Sequence, residues 1–255
     1  MITKEQASLR GRSALIIGAS SGVGRATAEL LIAEGAHVVA IARHAGALDA
    51  LRAEVGPVQT IEADAARSDV AQRLLREFKP ELVVLTAGVH ARLAPLDEQT
   101  WESVSEPWNV DAQAAFHLVK AALTIPLSPG STVVVVSSGA AIGGSPLSGG
   151  YAGAKRMQWL FAEYAQELSE RKGLGIRFVA VLPAQLIEGT EIGESASAAY
   201  GALRGMSGAD YMKARFEEPL DVAKVADAIV SCLRGDIAQD VAAIGITGQG
   251  IKPLE

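Results

Sequence analysis

A single cysteine, Cys232, stands among the 255 residues. No disulfide can close within the chain and no zinc site can be built from cysteines, which fits a reducing compartment. Histidine is nearly as scarce: His37, His44, His90 and His117 are scattered without short ligand spacing, so no metal site is expected. Basic residues are outnumbered, 23 Lys and Arg against 29 Asp and Glu, for a net charge of −6. A nucleic-acid partner would call for clustered Lys and Arg, so none is expected. No apolar run approaches the ~20 residues of a bilayer span, and the opening stretch Met1–Arg10 is polar. The simplest expectation is a soluble cytoplasmic protein with no membrane partner. Aromatic residues make up only 5% of the chain, and Trp101, Trp108, Trp159 and Phe161 are best explained as helix-face residues.

Hydrophobic residues make up 49% of the chain, enough for one α/β domain spanning 1–255. Runs rich in Val and Ile alternate with longer helical patterns, the signature of a parallel sheet covered on both faces. Seven strands are predicted: Ser13–Ile17, His37–Ala42, Val58–Ile61, Leu82–Thr86, Thr132–Ser137, Ile176–Val181 and Val241–Ile246. Helical stretches are predicted around Gly24–Glu34, Ala47–Val55, Ser68–Phe78, Trp101–Leu123, Tyr151–Lys172 and Asp221–Leu233. Pro107 must end or kink the turn before it, because it supplies no N–H.

Two constellations carry chemistry. The first is Gly18-Ala-Ser20-Ser21-Gly22-Val23-Gly24, set between the first strand and the first helix. Glycines there let the chain turn sharply and let backbone N–H groups approach a pyrophosphate at the positive end of the helix. The second is Tyr151-Ala-Gly-Ala-Lys155, with Ser138 upstream. Residues four apart share a helix face, so Lys155 and the Tyr151 phenol project together, and a cation beside a phenol favours its ionised form. Ser138 can hold a substrate oxygen while Tyr151 exchanges a proton with it. Such a trio suits interconversion of an alcohol and a carbonyl, with a nicotinamide carrying the hydride.

Taken together these residues resemble the short-chain dehydrogenase/reductase family over nearly the whole chain. Leu85-Thr86-Ala87-Gly88 is similar to the family's Asn-Asn-Ala-Gly stretch, Asn109 in Trp-Asn-Val-Asp to its active-site asparagine, and Pro183-Ala184 to the Pro-Gly after its sixth strand. The resemblance implies a Rossmann-type, doubly wound, seven-stranded parallel sheet. It implies Ser138, Tyr151, Lys155 and Asn109 as the catalytic set, with Asn109 holding an irregular backbone and a water that links Lys155 to solvent. Cofactor contacts are implied at Gly18, Ser20, Ser21, Gly22, Val23, Gly24, Asp64, Ala65, Ala87, Gly88, Tyr151 and Lys155. It also implies a mobile substrate lid over 189–215 and a homo-oligomer, dimer or tetramer, with Trp159, Phe161 and Ala162 on its buried seam. The chain departs from the pattern at Ile17, Leu85, Thr86 and Ala184. Thr190 sits about two residues beyond the spacing of the family's cofactor-closing threonine, and is left unassigned.

Cofactor choice turns on the end of the second strand, Ala42-Arg43-His44. Ala42 takes the place where NAD-preferring members carry Asp, and a guanidinium at Arg43 suits a ribose 2′-phosphate, so NADP(H) is preferred with NAD(H) left open. Ser20 and His44 could add donors near that phosphate. The expected function is an NADP(H)-dependent oxidoreductase acting on a small carbonyl or alcohol. The alternative is a catalytically silent cofactor-binding regulator of the same fold; a methyltransferase reading would leave Tyr151 and Lys155 unexplained.

Overall fold

The computed structural model describes residues 8–56 and 58–254; the first seven residues of the polar opening lie outside them. Eight strands form the main sheet: β1 (Ser13–Ile17), β2 (His37–Ala42), β3 (Gln59–Glu62), β4 (Leu82–Leu85), β5 (Thr132–Val136), β6 (Arg177–Pro183), β9 (Ala243–Thr247) and β10 (Gly250–Pro253). Their order across the sheet is β10-β9-β6-β5-β4-β1-β2-β3. Seven run parallel as the Val- and Ile-rich runs predicted. The eighth, β10, pairs antiparallel with β9 through a two-residue turn, Gly248-Gln249. It is short, exposed and ends in Pro253, properties that suit an edge strand and leave little periodic signal.

Side chains alternate across the sheet and feed two cores. Leu15, Ile17, Val83, Leu85, Val133, Val135, Phe178 and Ala180 face one way, with α3 (Val70–Phe78), α5 (Gln113–Thr124) and α7 (Tyr151–Lys172) packed over them. Ala14, Ile16, Val84, Val134, Val179 and Val181 face the other way, under α1 (Gly22–Ala33), α2 (Ala45–Val55) and α10 (Val222–Arg234). Strands buried on both faces must be continuously apolar, which is why the sheet was legible in the sequence. The order reverses between β1 and β4: the chain runs outward through β2 and β3, then returns to β4 on the opposite side of β1. In open α/β sheets such a reversal opens a crevice at the carboxyl ends of the strands.

The stretch predicted as one helix from Trp101 to Leu123 is three pieces: α4 (Trp101–Pro107), a π-helical turn (Trp108–Ala112) and α5. Pro107 lies at the junction and forces the irregularity. The 189–215 segment contains α8 (Glu191–Ala202) and α9 (Gly208–Arg215), two helices in place of weak periodicity. Their starts are capped by Thr190, whose side chain accepts from Gly193 N, and Ser207, which accepts from Asp210 N. Flanking them, β7 (Ile187–Glu188) and β8 (Leu220–Asp221) pair in parallel and close the segment at its base. Trp159 and Ala162, expected on an oligomer seam, are instead buried in this chain's own core at 3% and 0% exposure. Phe161 remains partly open beside Phe116 and Tyr164, in a shallow apolar groove between α5 and α7. Among the described residues, no helix is long and apolar enough to cross a membrane.

Candidate functional site

A cleft of about 580 Å³ opens at the carboxyl ends of the strands, over the reversal point. Its floor is the glycine turn. Gly18 has φ +102°, and a Cβ there would sit 2.5 Å from Ala87 N; a Cβ on Gly24 would fall well under 3.0 Å from Gly18 O and Thr86 Oγ1. The turn is tied down by Gly18 N and Ala19 N donating to Ile41 O, at 2.8 and 3.0 Å. Thr86 Oγ1 lies 3.1 Å from both Ile17 O and Gly18 O. Thr86, a departure from the family pattern, therefore adds a side-chain bond to the backbone bonds that Thr86 N and Ala87 N donate to Ile17 O. Ser21 precedes α1 without capping it through its side chain, so the first N–H groups of a twelve-residue helix face the cleft without a side-chain partner. That end of a helix attracts anions.

Ser20, Ser21, Gly22, Val23, Arg43, Asp64, Ala65, Ala87 and Gly88 all line the cleft. Arg43 is exposed at the end of β2 and free to reach a ligand, and Ala42 beside it is buried. Asp64 Oδ1 accepts from Ala66 N at 3.0 Å, which folds the loop after β3 against the cleft. His44 is not among the lining residues; it stands at the N-terminus of α2. This glycine cradle, helix end and basic rim fit a dinucleotide: the backbone comes close only where side chains are missing.

Ser138, Tyr151 and Lys155 line the same cleft. Tyr151 opens α7 and Lys155 follows one turn later, its Nζ 5.5 Å from the centre of the phenol ring. Small residues let neighbouring elements approach here. A Cβ at Gly150 would run into Val104 O, and one at Gly153 would meet the Trp108 ring at 2.8 Å. Ser137 Oγ donates to Lys155 O at 2.7 Å, pinning α7 to the end of β5. Ser138 is half-buried, and its Oγ accepts from Ala140 N at 3.2 Å, which orients the hydroxyl at the start of the loop.

Asn109 is not brought to this site. It is exposed and absent from the cleft, because the π-helical turn rotates it outward and carries Asp111 inward. Asp111 is fully buried, with Oδ2 3.0 Å from Lys155 Nζ and Oδ1 accepting from Val89 N at 2.9 Å. The Nζ–Oδ2 contact is close enough for an ion pair but is not aligned as a hydrogen bond. The aligned bond of Lys155 goes to Gln158 Oε1 at 2.9 Å, and Gln158 Nε2 in turn donates to Asp111 O at 3.0 Å. Burial works against the Lys155 ammonium, but the charges of Asp111 and Tyr151 and the contact to Asp111 outweigh it, and its pKa is raised. Gly88 is needed beside this pair, since a Cβ there would come 2.7 Å from Asp111 Oδ2.

Several cleft residues went unassigned in the sequence. Thr190 lies over the glycine turn, its methyl 3.8 Å from where a Gly22 Cβ would be, and Thr190 Oγ1 donates to Ile187 O at 2.8 Å. Its late spacing is taken up by the short β7 strand. Tyr200 reaches from α8 to Ser145 with O···O 2.5 Å and stacks on Tyr211 of α9. His90 Nδ1 stands 3.5 Å from Glu191 across the rim. Only contacts distant in sequence reveal these residues as neighbours.

Residues 12–200 match the family model described as short chain dehydrogenase. L-xylulose reductase of Mesocricetus auratus is 39% identical over 111 residues, covering 43% of this chain and 45% of that protein. A short chain dehydrogenase of Pseudocercospora fijiensis is 32% identical over 193 residues, 70% of this chain and 60% of that protein. The chain thus spans less than two thirds of the length of either relative. The crystal structure of NAD+-bound xylitol dehydrogenase superposes with a TM-score of 0.82 over 94% of this chain and 99% of that one, at 18% identity, a likeness of fold. With the glycine turn, the Tyr-x-x-x-Lys pair and the first six strands of the sheet inside the matched span, the chain belongs to the short-chain dehydrogenase family.

Proposed function

We propose that this protein is an NADP(H)-dependent oxidoreductase that interconverts a small carbonyl compound and its secondary alcohol. The observation that carries the reading is the placement of Ser138, Tyr151 and Lys155 in one cleft with the glycine turn. The dinucleotide would lie along Gly18–Gly24, with Arg43 and Ser20 at its 2′-phosphate, Asp64 and Ala65 beside its adenine, and Lys155 on its nicotinamide ribose. When bound, the cofactor supplies or accepts the hydride at the carbonyl carbon. In the reductive direction Ser138 donates a hydrogen bond to the carbonyl oxygen, and Tyr151 gives that oxygen its phenolic proton. Lys155 holds its position beside the phenol through Gln158 and Asp111. Thr190 and the α8–α9 segment act as a lid that excludes water over the reacting groups. Orientation of this kind supplies on the order of 7–11 kcal/mol of the barrier reduction in well-aligned reactions.

A named relative, L-xylulose reductase, points to short-chain ketoses and polyols as the first substrates to try. The cleft's polar groups, Ser138, Ser145 and Tyr200 among them, suit hydroxyl-bearing substrates. The full chain should oxidise NADPH in the presence of such a ketose. Tyr151→Phe should bind NADPH normally and lose turnover, and full activity in that variant would remove Tyr151 from the mechanism. Arg43→Ala should weaken NADPH about tenfold or more and leave NADH little changed, as loss of a charge-assisted phosphate contact implies; equal weakening of both would defeat the preference for NADP(H). The α5–α7 groove lined by Phe116, Phe161 and Tyr164 is the face proposed for self-association, and a clean monomer at micromolar concentration contradicts it.

A further inference from the structure

The family pattern sets a neutral asparagine near the catalytic lysine; this chain sets a carboxylate there. Asp111 is 0% exposed and Lys155 6%, so neither charge is screened by water, and they stand 3.0 Å apart. Asp111 is further held by Val89 N–H on one oxygen, and Gln158 links its backbone carbonyl to the Lys155 ammonium. We propose that Asp111 is a positioning residue that cancels the field of Lys155 at the Tyr151 phenol and so favours the protonated, proton-donating form of the site. This inference rests on the oxidoreductase reading above.

The reasoning is electrostatic. An unpaired ammonium one helical turn from a phenol favours the phenolate, which is the form that takes a proton from an alcohol. An ammonium already paired with a buried carboxylate presents nearly zero net charge, so the phenolate loses that support. Asp111 and Tyr151 are the ionisable groups that act on Lys155. On the elements packed around α7, Glu102 and Glu106 of α4 and His117 and Lys120 of α5 are directed away from the cleft lining. Arg177 of β6 spends its guanidinium on the carbonyls of Cys232, Ala238 and Val241, and His90 and Glu191 pair with each other at the rim. Gln158 completes the isolation. The asparagine of the family pattern is expected to hold a water on the way to solvent, whereas here the backbone carbonyl of Asp111 already accepts from a protein side chain.

The test is Asp111→Asn in the full chain. Tyrosinate absorbance in the near ultraviolet, read against the matching Tyr151→Phe background, isolates Tyr151 from the other three tyrosines and needs no substrate. In Asp111→Asn the pH at which that signal appears should move down by about one pH unit or more, the size expected for removing a buried neighbouring charge. With NADP+ and xylitol, the alkaline rise of kcat/KM for oxidation should move down by the same interval. If Asp111→Asn does not hold the fold, Asp111→Ser, smaller and uncharged, carries the same expectation. A titration that stays in place or moves up overturns the inference. A wild type that neither binds NADPH nor turns over any carbonyl overturns the functional reading instead, while the titration still reports on Asp111.

Discussion

Replacing Gly24 by alanine adds one methyl group where the structure has no room for it. The new Cβ would fall well under 3.0 Å from the carbonyl oxygen of Gly18 and from Thr86 Oγ1. Neither neighbour can yield cheaply: Gly18 belongs to the turn itself, and Thr86 Oγ1 is bonded to both Ile17 O and Gly18 O. Relief requires the turn to open by about an ångström, a displacement that close-packed interiors resist. Overpacking of this kind costs about 1–3 kcal/mol. The same displacement separates Gly18 from the N-terminus of α1, so NADPH affinity should drop about tenfold for each 1.4 kcal/mol carried into the binding site. Gly46→Ala is the matched control. Gly46 lies in α2 with no atom within 4 Å of the added carbon and without positive φ, so the substitution should be neutral or stabilising by about 0.5–1 kcal/mol. Denaturant unfolding gives the stability of both variants, and NADPH fluorescence titration gives the affinity. A Gly24→Ala protein as stable and as tight-binding as the wild type would refute the proposed close packing of the turn.

Other perturbations follow from individual contacts. Thr86→Val keeps the shape but removes the hydroxyl shared by Ile17 O and Gly18 O, so stability should fall by about 0.5–1.5 kcal/mol, with weaker NADPH binding; unchanged values would show that the bond does not hold the turn. Phe178, 0% exposed under α7, should cost about 3–5 kcal/mol as Phe178→Ala in urea unfolding, and a loss below about 1 kcal/mol would place it outside the core. Burial pushes the Cys232 thiol up from 9.0 to about 12. A raised folded value means the unfolded chain loses this proton first, so the stability it contributes is complete below about pH 9 and is lost as pH rises through about 12. The decline should be on the order of a few kcal/mol and shallower in Cys232→Ala; parallel alkaline curves for the two proteins would show that the thiol does not carry it.

Legibility in the sequence followed burial. The parallel strands lie between two layers of helices, so nearly every residue of β1, β4, β5 and β6 is buried and apolar, and the runs announce themselves. The glycine turn and the Tyr-x-x-x-Lys pair were legible for another reason: each needs particular residue types a few positions apart. The helices α8 and α9 were not, because α8 is built of Gly, Ala and Ser and packs through small residues whose pattern resembles a loop. Two of the three residues expected on the seam were misplaced for a similar reason. Trp159 and Ala162 share α7 with Phe161, and an apolar residue on a long helix looks the same whether it meets its own sheet or another copy; only the sheet's position decides that Trp159 and Ala162 point inward.

Asn109 and Asp111 show where residue identity and helical register part company. Successive residues of an α-helix turn by about 100°, so two positions apart face nearly opposite ways, and only one of these two side chains can reach Lys155. Identity favoured the asparagine. Register favoured the aspartate: Asp111, Ala114, Ala115, Leu118 and Ala122 recur at helical intervals, and all five are buried. A lone carboxylate on an apolar stripe costs several kcal/mol unless something pays it back, so its presence already called for a buried cation. The π-helical turn after Pro107 sets the register that brings the two together, freeing the carbonyl of Asp111 for Gln158 as it turns the carboxylate to Lys155. The charge that looked out of place in the helical pattern is thus the one paired with Lys155.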